Sequence, residues 1–391
     1  MSLSEVQQKG FNACNARLGF KAGEVSKLPT NNKKIVFSKD PKQSSVPPKM
    51  ITVSNIDELM SLLDLPDHGS DEHINYPQAL SIKAADKLTS NNEHQLRNML
   101  NCCVAGDARK VSDNDKALIH NSLFPMNIAA FAVDSYTVKS GEVLEIKDGT
   151  VTNIGTLTVE QGGQIKCDGT ANLNCQNLIQ NGTQTGSNYT INLSLPEISP
   201  AQAGPGDPGT KPTTPGEPGN PGANCNSHCK SAPTNGGKGH NGGPGGNGDN
   251  GTHGANGPIL HCQVSSATGS IRIYAGAQEG QIGGNGGKGG DGGAGGAAGT
   301  SASNCPKAAN GSQGDGGRGG DGGTGGNGGA GAQVYFHYSG SASIDPVFGT
   351  TNGAKGGNPG APGAGPTNAG SGGHGDSGKP GAPPVIQALS M

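Results

Sequence analysis

Three textures of hydrophobic and polar positions follow one another along the chain. Residues 1–50 are polar and irregular, end in SKDPKQSSVPPKM, and read as an arm or tail. Over 51–128 apolar residues recur at helical spacing. In NIDELMSLLDLP, Asn55 reads as an N-cap, Glu58 as its capping-box partner and Pro66 as the stop. PQALSIKAADKLTSNNEHQLRNMLNCCVAG carries Leu80, Ile82, Ala85 and Leu88, then Leu96, Met99 and Leu100. SDNDKALIHNSLF adds a short helix behind a Ser/Asp cap. These segments predict a small α-helical head.

Near residue 129 the period changes from helical to two. Tyr136 and Val138, Val143 and Ile146, Val151, Leu157 and Val159, Ile165, Leu173 and Leu178 supply one apolar side. Gly141, Gly149, Gly155, Gly162 and Gly169 fall between or within the runs. Short strands with turn signals at this spacing predict a β-rich domain over 129–200, as a meander, sandwich or solenoid. Cys167 and Cys175 then fall on neighbouring rungs.

From 201 to 385 glycine-rich runs (204–222, 236–257, 283–299, 314–331, 353–381) alternate with strand-like pieces at 258–264, 270–276, 332–340 and 341–349. Residues 386–391 read as a tail. In 236–257 glycine never misses a three-residue frame, and in 314–331 it fills two of every three positions. Glycine loses more backbone entropy on folding than any other residue, so a strict frame calls for a reason. Three readings compete: a flexible linker, a collagen triple helix, and a bundle of extended three-residue-per-turn helices from one chain. A linker needs no frame, and the runs are short, interrupted and poor in proline after 236. The third reading, a polyglycine-II arrangement, accounts for both bare positions, because only bare backbones approach closely enough to share hydrogen bonds. It makes Gly283, Gly286, Gly289, Gly292, Gly314, Gly317, Gly320, Gly323 and Gly326 packing positions. It places 314–331 inside the bundle and 236–257 nearer an edge. The expected fold class is therefore mixed: a small α-helical head, a short-stranded β middle, and a C-terminal polyglycine-II bundle interleaved with strands.

Composition supports a chain without a large oily core. Only 31% of its 391 residues are hydrophobic, it has no Trp, and 58 of its 71 glycines lie beyond residue 200. A net charge of −3 gives no basic face for nucleic acid. No stretch approaches a membrane span, and MSLSEVQQKGFNACNARLGF has no apolar leader core. Nine cysteines favour disulfides and hence an exterior environment, reached by lysis, a dedicated secretion route or delivery on a particle. The candidate disulfide residues are Cys167, Cys175, Cys225, Cys229, Cys262 and Cys305, with Cys225–Cys229 or Cys262–Cys305 as the preferred cross-links. The odd total leaves at least one thiol over.

Catalytic motifs fail on context. Ser377 in GDSG has no barrel or base around it. The stretch 373–379 spells G-x-x-x-x-G-K, but Pro380 follows where a P-loop needs Ser or Thr. GGKGGDGGA (286–294) lacks the apolar residue of the calcium nonapeptide, so Asp291, Asp315 and Asp321 read as solvated. Cys225, His228, Cys229, His240, His253, His261 and Cys262 have no standard zinc spacing. No enzyme activity, cofactor or metal is expected.

The runs over roughly 200–385 resemble the polyglycine-II domains of phage tail-fibre tip adhesins and the glycine-rich antifreeze protein of snow fleas. In the adhesins, loops at the slab's end serve recognition. The resemblance implies that 223–235, 300–313 and 364–371 are the equivalent loops, with Asn226, His228, Lys230, Asn304, Lys307, Asn310, Thr367 and Asn368 as candidate contact residues. The expected function is surface recognition or adhesion toward a cell-surface or polysaccharide ligand, outside the cell or on a particle. The alternative is a self-assembling fibre or matrix subunit, a homo-oligomer joined through its head or edges. An ice-binding protein or a toxin component stands third.

Overall fold

Alternation over 143–147 and 164–168 is what a strand with one buried face requires. It buries Leu144, Ile146, Ile165 and Cys167, while Lys147 and Asp168 pair in solvent at 2.6 Å. The computed structural model describes residues 3–29, 32–65, 90–105, 108–367 and 369–390. Strands come in consecutive pairs: β3 (Met126–Val138) and β4 (Val143–Lys147), β5 (Thr150–Glu160) and β6 (Gln164–Asp168), β7 (Thr170–Asn181) and β8 (Ile191–Leu193). After a small hairpin, β9 (Ala223–Cys225) and β10 (His228–Ser231), the pairing resumes. β11 (Ile259–Thr268) leads to β12 (Ser270–Ala275), β13 (Gln333–Gly340) to β14 (Ser343–Phe348), and β15 (Val385–Ser390) comes last.

Each pair is one rung, with one strand in each of two sheets. β1 (Lys34–Phe37) starts an all-parallel six-stranded sheet, β1-β4-β6-β8-β12-β14. The seven-stranded sheet, β15-β13-β11-β7-β5-β3-β2, is parallel except where β2 (Lys49–Val53) closes it antiparallel to β3. Between the sheets lies a core that includes Phe37, Phe131, Ile154, Leu173, Leu260 and Phe336, all fully buried. Rungs turn at glycines such as Gly169, whose φ of +88° and 2.4 Å gap from a built Cβ to the Asp148 Cβ exclude a side chain.

Helices cover the outer face of the seven-stranded sheet. α1 (Glu5–Arg17) starts with a Ser4/Gln7 capping box in the segment expected to be an irregular arm. α2 (Ile56–Leu63) is capped by Asn55, which accepts the Glu58 N–H at 2.8 Å. α3 (Ser90–Ala105) and α4 (Asp113–Leu123) complete the layer. Leu59, Leu96, Met99 and Ile119 join Ile128, Val151 and Tyr335 of the sheet in a second core. The sheet is thus buried on both faces, which is why β5 reads as a nearly continuous buried strand. The helical periodicity expected over 77–89 lies outside the described residues.

The glycine-rich runs are neither helix nor strand. They form pairs of long connections: each outgoing run leaves a strand of the six-stranded sheet, and each returning run enters one of the seven-stranded sheet. Outgoing runs 204–222, 283–299 and 353–365 lie side by side, with Gly206 donating to Asn285 O and Gly286 to Asn358 O, each at 2.8 Å. Returning runs 236–257, 314–331 and 370–382 form a second layer through Gly242 to Asp315 O and Gly322 to Gly373 O at 2.9 Å. Between layers, Gly290 donates to Gly243 O and Gly317 to Gly290 O at 2.8 Å.

The expected mixed fold, with a helical head and a C-terminal polyglycine-II bundle, does not stand. The protein is α/β, with about 14% helix, about 29% strand and large sheets of six and seven strands. The helices sit on a sheet and form no separate head. The strand-like pieces after 258 do not interleave a bundle; they extend the two sheets begun at β3 and β4. Apolar alternation locates a strand but does not say which sheet it joins, because parallel partners can lie far apart in sequence.

Candidate recognition tip

Three loops reverse the glycine-rich runs at the end away from the sheets. The first is the β9–β10 hairpin, whose two-residue turn has φ of 45° at Asn226 and 64° at Ser227. Two positive φ values suit the right-handed twist of a tight hairpin. The second loop, 300–313, lies against it: Gly222 N–H bonds Thr300 O at 2.9 Å and Asn224 Nδ2 bonds Ser303 Oγ at 2.8 Å. A disulfide, Cys229–Cys305, joins the two with Cα atoms 4.9 Å apart. The third loop sits lower, because its run reaches only the level of Gly292, whose N–H bonds Ala364 O at 2.8 Å. At about 3.1 Å per residue, the step from that level to Thr300 is on the order of 25 Å.

Asn226, His228, Lys230, Asn304, Lys307 and Asn310 are all exposed on the taller ledge. Asn310 is committed in part, its Oδ1 accepting the Ala298 N–H at 2.8 Å. Thr367 is exposed on the lower ledge and its hydroxyl bonds Asp315, while Asn368 lies outside the described residues. Segments 223–235 and 300–313 contain Lys230, Lys307 and His228 but no Asp or Glu. On a chain of net charge −3, this end is locally cationic.

The cysteine pairing differs from expectation. Cys229 and Cys305 bond each other, so neither Cys225–Cys229 nor Cys262–Cys305 forms. Residues 225 and 228 pair across the hairpin and 224 pairs with 229, which puts Cys225 and Cys229 on opposite faces. Cys225 is an exposed thiol outside any disulfide; Cys14, Cys102, Cys103, Cys167, Cys175 and Cys262 are buried thiols outside any disulfide. Burial pushes the Cys102 and Cys175 thiols up to about 12 and the Cys103 thiol to about 11, and raises Cys167 and Cys262 as well. Such thiols are poor nucleophiles. A thiol-reactive dye should therefore titrate one cysteine quickly in the native protein and three after mild reduction. The other six should react only on unfolding, and faster reaction of a fourth would contradict the burial.

The packing glycines stand where a Cβ would strike backbone. Gly283, Gly286, Gly289 and Gly292 face the carbonyl oxygens of Gly323, Gly320, Gly317 and Gly314, at 1.9–2.1 Å from a built Cβ. Gly314, Gly317, Gly320, Gly323 and Gly326 face His240, Gly243, Gly246, Asp249 and Thr252 oxygens at 1.8–2.0 Å.

The third position of each triplet has a role that the glycine frame alone did not reveal. Asn241 Oδ1 accepts the Asp315 N–H at 2.9 Å while Gly242 N–H donates to Asp315 O at 2.9 Å. One Asn-Gly pair thereby clasps both backbone groups of one residue on the next run. Asn247 clasps Asp321, Asn250 clasps Thr324, Asn285 clasps Asn358, and His253 clasps Asn327 through Nδ1. Asp291 and Asp321 do the same, and the Ala364 and Gly373 N–H groups hold their carboxyls below the usual range. Asp315 is lowered by Lys238 and then Thr367. Among the described residues no group of three or more His, Cys, Asp or Glu could hold a metal ion, and no helix is long and apolar enough to cross a membrane.

No protein-family model matches the chain, and no curated protein matches it. Among solved structures it is similar to the nine polyproline type II helical bundle springtail antifreeze protein from Granisotoma rainieri, at 24% identity over 48% of this chain and 95% of that one. The TM-score is 0.07, so this weak, partial likeness carries no argument about fold or function.

Proposed function

We propose that the protein is a non-catalytic recognition protein that acts outside the cell or on a particle surface, and that its tip binds anionic, hydroxyl-rich polymers of a cell surface. The observation that carries this reading is the acid-free taller ledge, where exposed Lys230, Lys307, His228 and amide side chains gather on two loops tied by Cys229–Cys305. Lysine supplies long-range attraction to anionic polymer, and Asn and Ser supply hydrogen bonds to hydroxyls. A half-buried disulfide at the tip suits an oxidising exterior.

Prolines at the edges of the outgoing layer favour a discrete binder over a fibre subunit, although run 236–257 keeps donors at its open edge apart from Pro244. In 204–222, the position whose N–H would be clasped by a preceding run has no such neighbour and is Pro205, Pro208, Pro218 and Pro221. In 353–365 and 370–382, the position whose N–H would reach a following run is proline at 359, 362 and 380, while Gly356, Ser371, His374 and Ser377 keep a donor there. Proline removes the donor where an unpaired edge would otherwise template association.

Binding of the immobilised full chain to polygalacturonate, with neutral dextran as control, tests the reading. The wild type should bind the anionic polymer with affinity that falls as salt rises. A Lys230→Glu, Lys307→Glu variant should lose roughly tenfold or more, as expected when rim charges are reversed. Binding unchanged by that double reversal would sink the proposal.

A further inference from the structure

The chain holds ten Asn-Gly pairs, at 181, 235, 241, 247, 250, 256, 285, 310, 327 and 352. This dipeptide is chemically fragile. The glycine nitrogen can lose its proton and attack the asparagine Cγ, forming a five-membered succinimide as the carboxamide nitrogen leaves as ammonia. Water then opens the ring at either carbonyl, leaving aspartate or isoaspartate. Glycine is the most permissive follower because nothing hinders its nitrogen.

The fold engages both reacting groups in eight of the ten. Asn235, Asn241, Asn247, Asn250, Asn256, Asn285 and Asn327 each accept a backbone N–H through Oδ1, while the next glycine donates to the carbonyl of the same residue. Asn310 accepts from Ala298 and Gly311 donates to Gly296. In these eight, attack requires two hydrogen bonds to open and the run to leave its neighbour. Asn352 is intermediate: its amide bonds Glu279 at 3.1 Å, but the Gly353 N–H has no partner among the described residues.

Asn181 differs from all of them. It ends β7, is exposed, and its carboxamide makes no hydrogen bond among the described residues. The Gly182 N–H makes none either. Gly182, at φ +82°, opens the loop that precedes β8. We infer that Asn181 is a spontaneous modification site, converted to aspartate and isoaspartate in the folded protein while the clasped asparagines persist. The new carboxylate would arise beside Glu160, the register partner of Asn181 on β5.

The test holds the folded full chain in mildly alkaline buffer at physiological temperature and follows all ten sites by peptide mass mapping. A parallel sample is kept unfolded in guanidinium chloride. In the folded protein Asn181 should convert roughly tenfold or more faster than any clasped asparagine, because local opening must precede attack at the latter, with Asn352 between. In guanidinium chloride the ten sites should convert at comparable rates. Asn181→Gln should remove the early product and leave the other nine rates unchanged. Conversion at Asn181 no faster than at Asn247 or Asn285 in the folded chain would overturn the inference.

Discussion

Gly289→Ala should destabilise the protein by about 3 kcal/mol or more, the upper range for overpacking a close contact. A built Cβ at Gly289 stands 2.0 Å from Gly317 O and 2.6 Å from Gly317 C. These are backbone atoms with no rotamer to change, so the runs must separate. Separation also strains the bonds from Gly289 N–H to Ala361 O and from Gly317 N–H to Gly290 O, each 2.8 Å long. Gly373→Ala is the internal control. There the nearest atom to a built Cβ is Asp321 Oδ1 at 3.5 Å, and no positive φ forbids a side chain. Alanine at that site should be neutral or stabilising by about 0.4–1 kcal/mol, through reduced freedom of the unfolded chain. Denaturant midpoints of the two variants decide the matter: equal shifts would mean that bare positions in the middle runs are not what packing requires.

The three-residue frame made the bare glycine positions visible in the sequence, since each interior contact repeats with the frame. What it could not show was where the runs belong. They join rungs of two sheets, and the partners of β7 and β11 are separated by a run out, a hairpin and a run back. Nothing local in the sequence reports such pairing. The change from Gly-Gly-X to Gly-X-Pro texture was visible too, and its meaning came only with the neighbours. Runs 283–299 and 314–331 have a partner on each side within their layer, whereas 204–222 and 353–365 have one and place proline at the vacant side. Asp291 and Asp321 at the third position read as solvated; with the next run in place they clasp it, as the third-position Asn do, and set register. The tip was partly legible. The loops were found through a resemblance, Lys230 and Lys307 lie on them, and Cys229 and Cys305 were both candidates. Their mutual pairing needed the side-by-side arrangement of two runs whose tips are 76 residues apart in sequence.

Phe131→Ala should cost about 3–5 kcal/mol, the usual range for truncating a buried phenylalanine. Phe131 is fully buried on β3, with its ring 4.6 Å from that of Phe37 across the two sheets. Its removal leaves a cavity where the rigid rungs on either side cannot collapse inward. The same substitution also asks whether the sheets and the glycine-rich runs fold as one unit. Runs 204–222 and 283–299 follow β8 and β12, while 236–257 and 314–331 lead into β11 and β13, so the sheets deliver the runs in the register that their mutual hydrogen bonds need. The runs have few apolar side chains to hold them in place otherwise. Amide protection in 314–331 should therefore fall in step with that of β5 when hydrogen exchange is followed in the variant. If β5 lost protection while the amides of 314–331 kept theirs, the runs would be an independent folding unit, with register set by the clasps from Asn241 to Asn256 rather than by the strands.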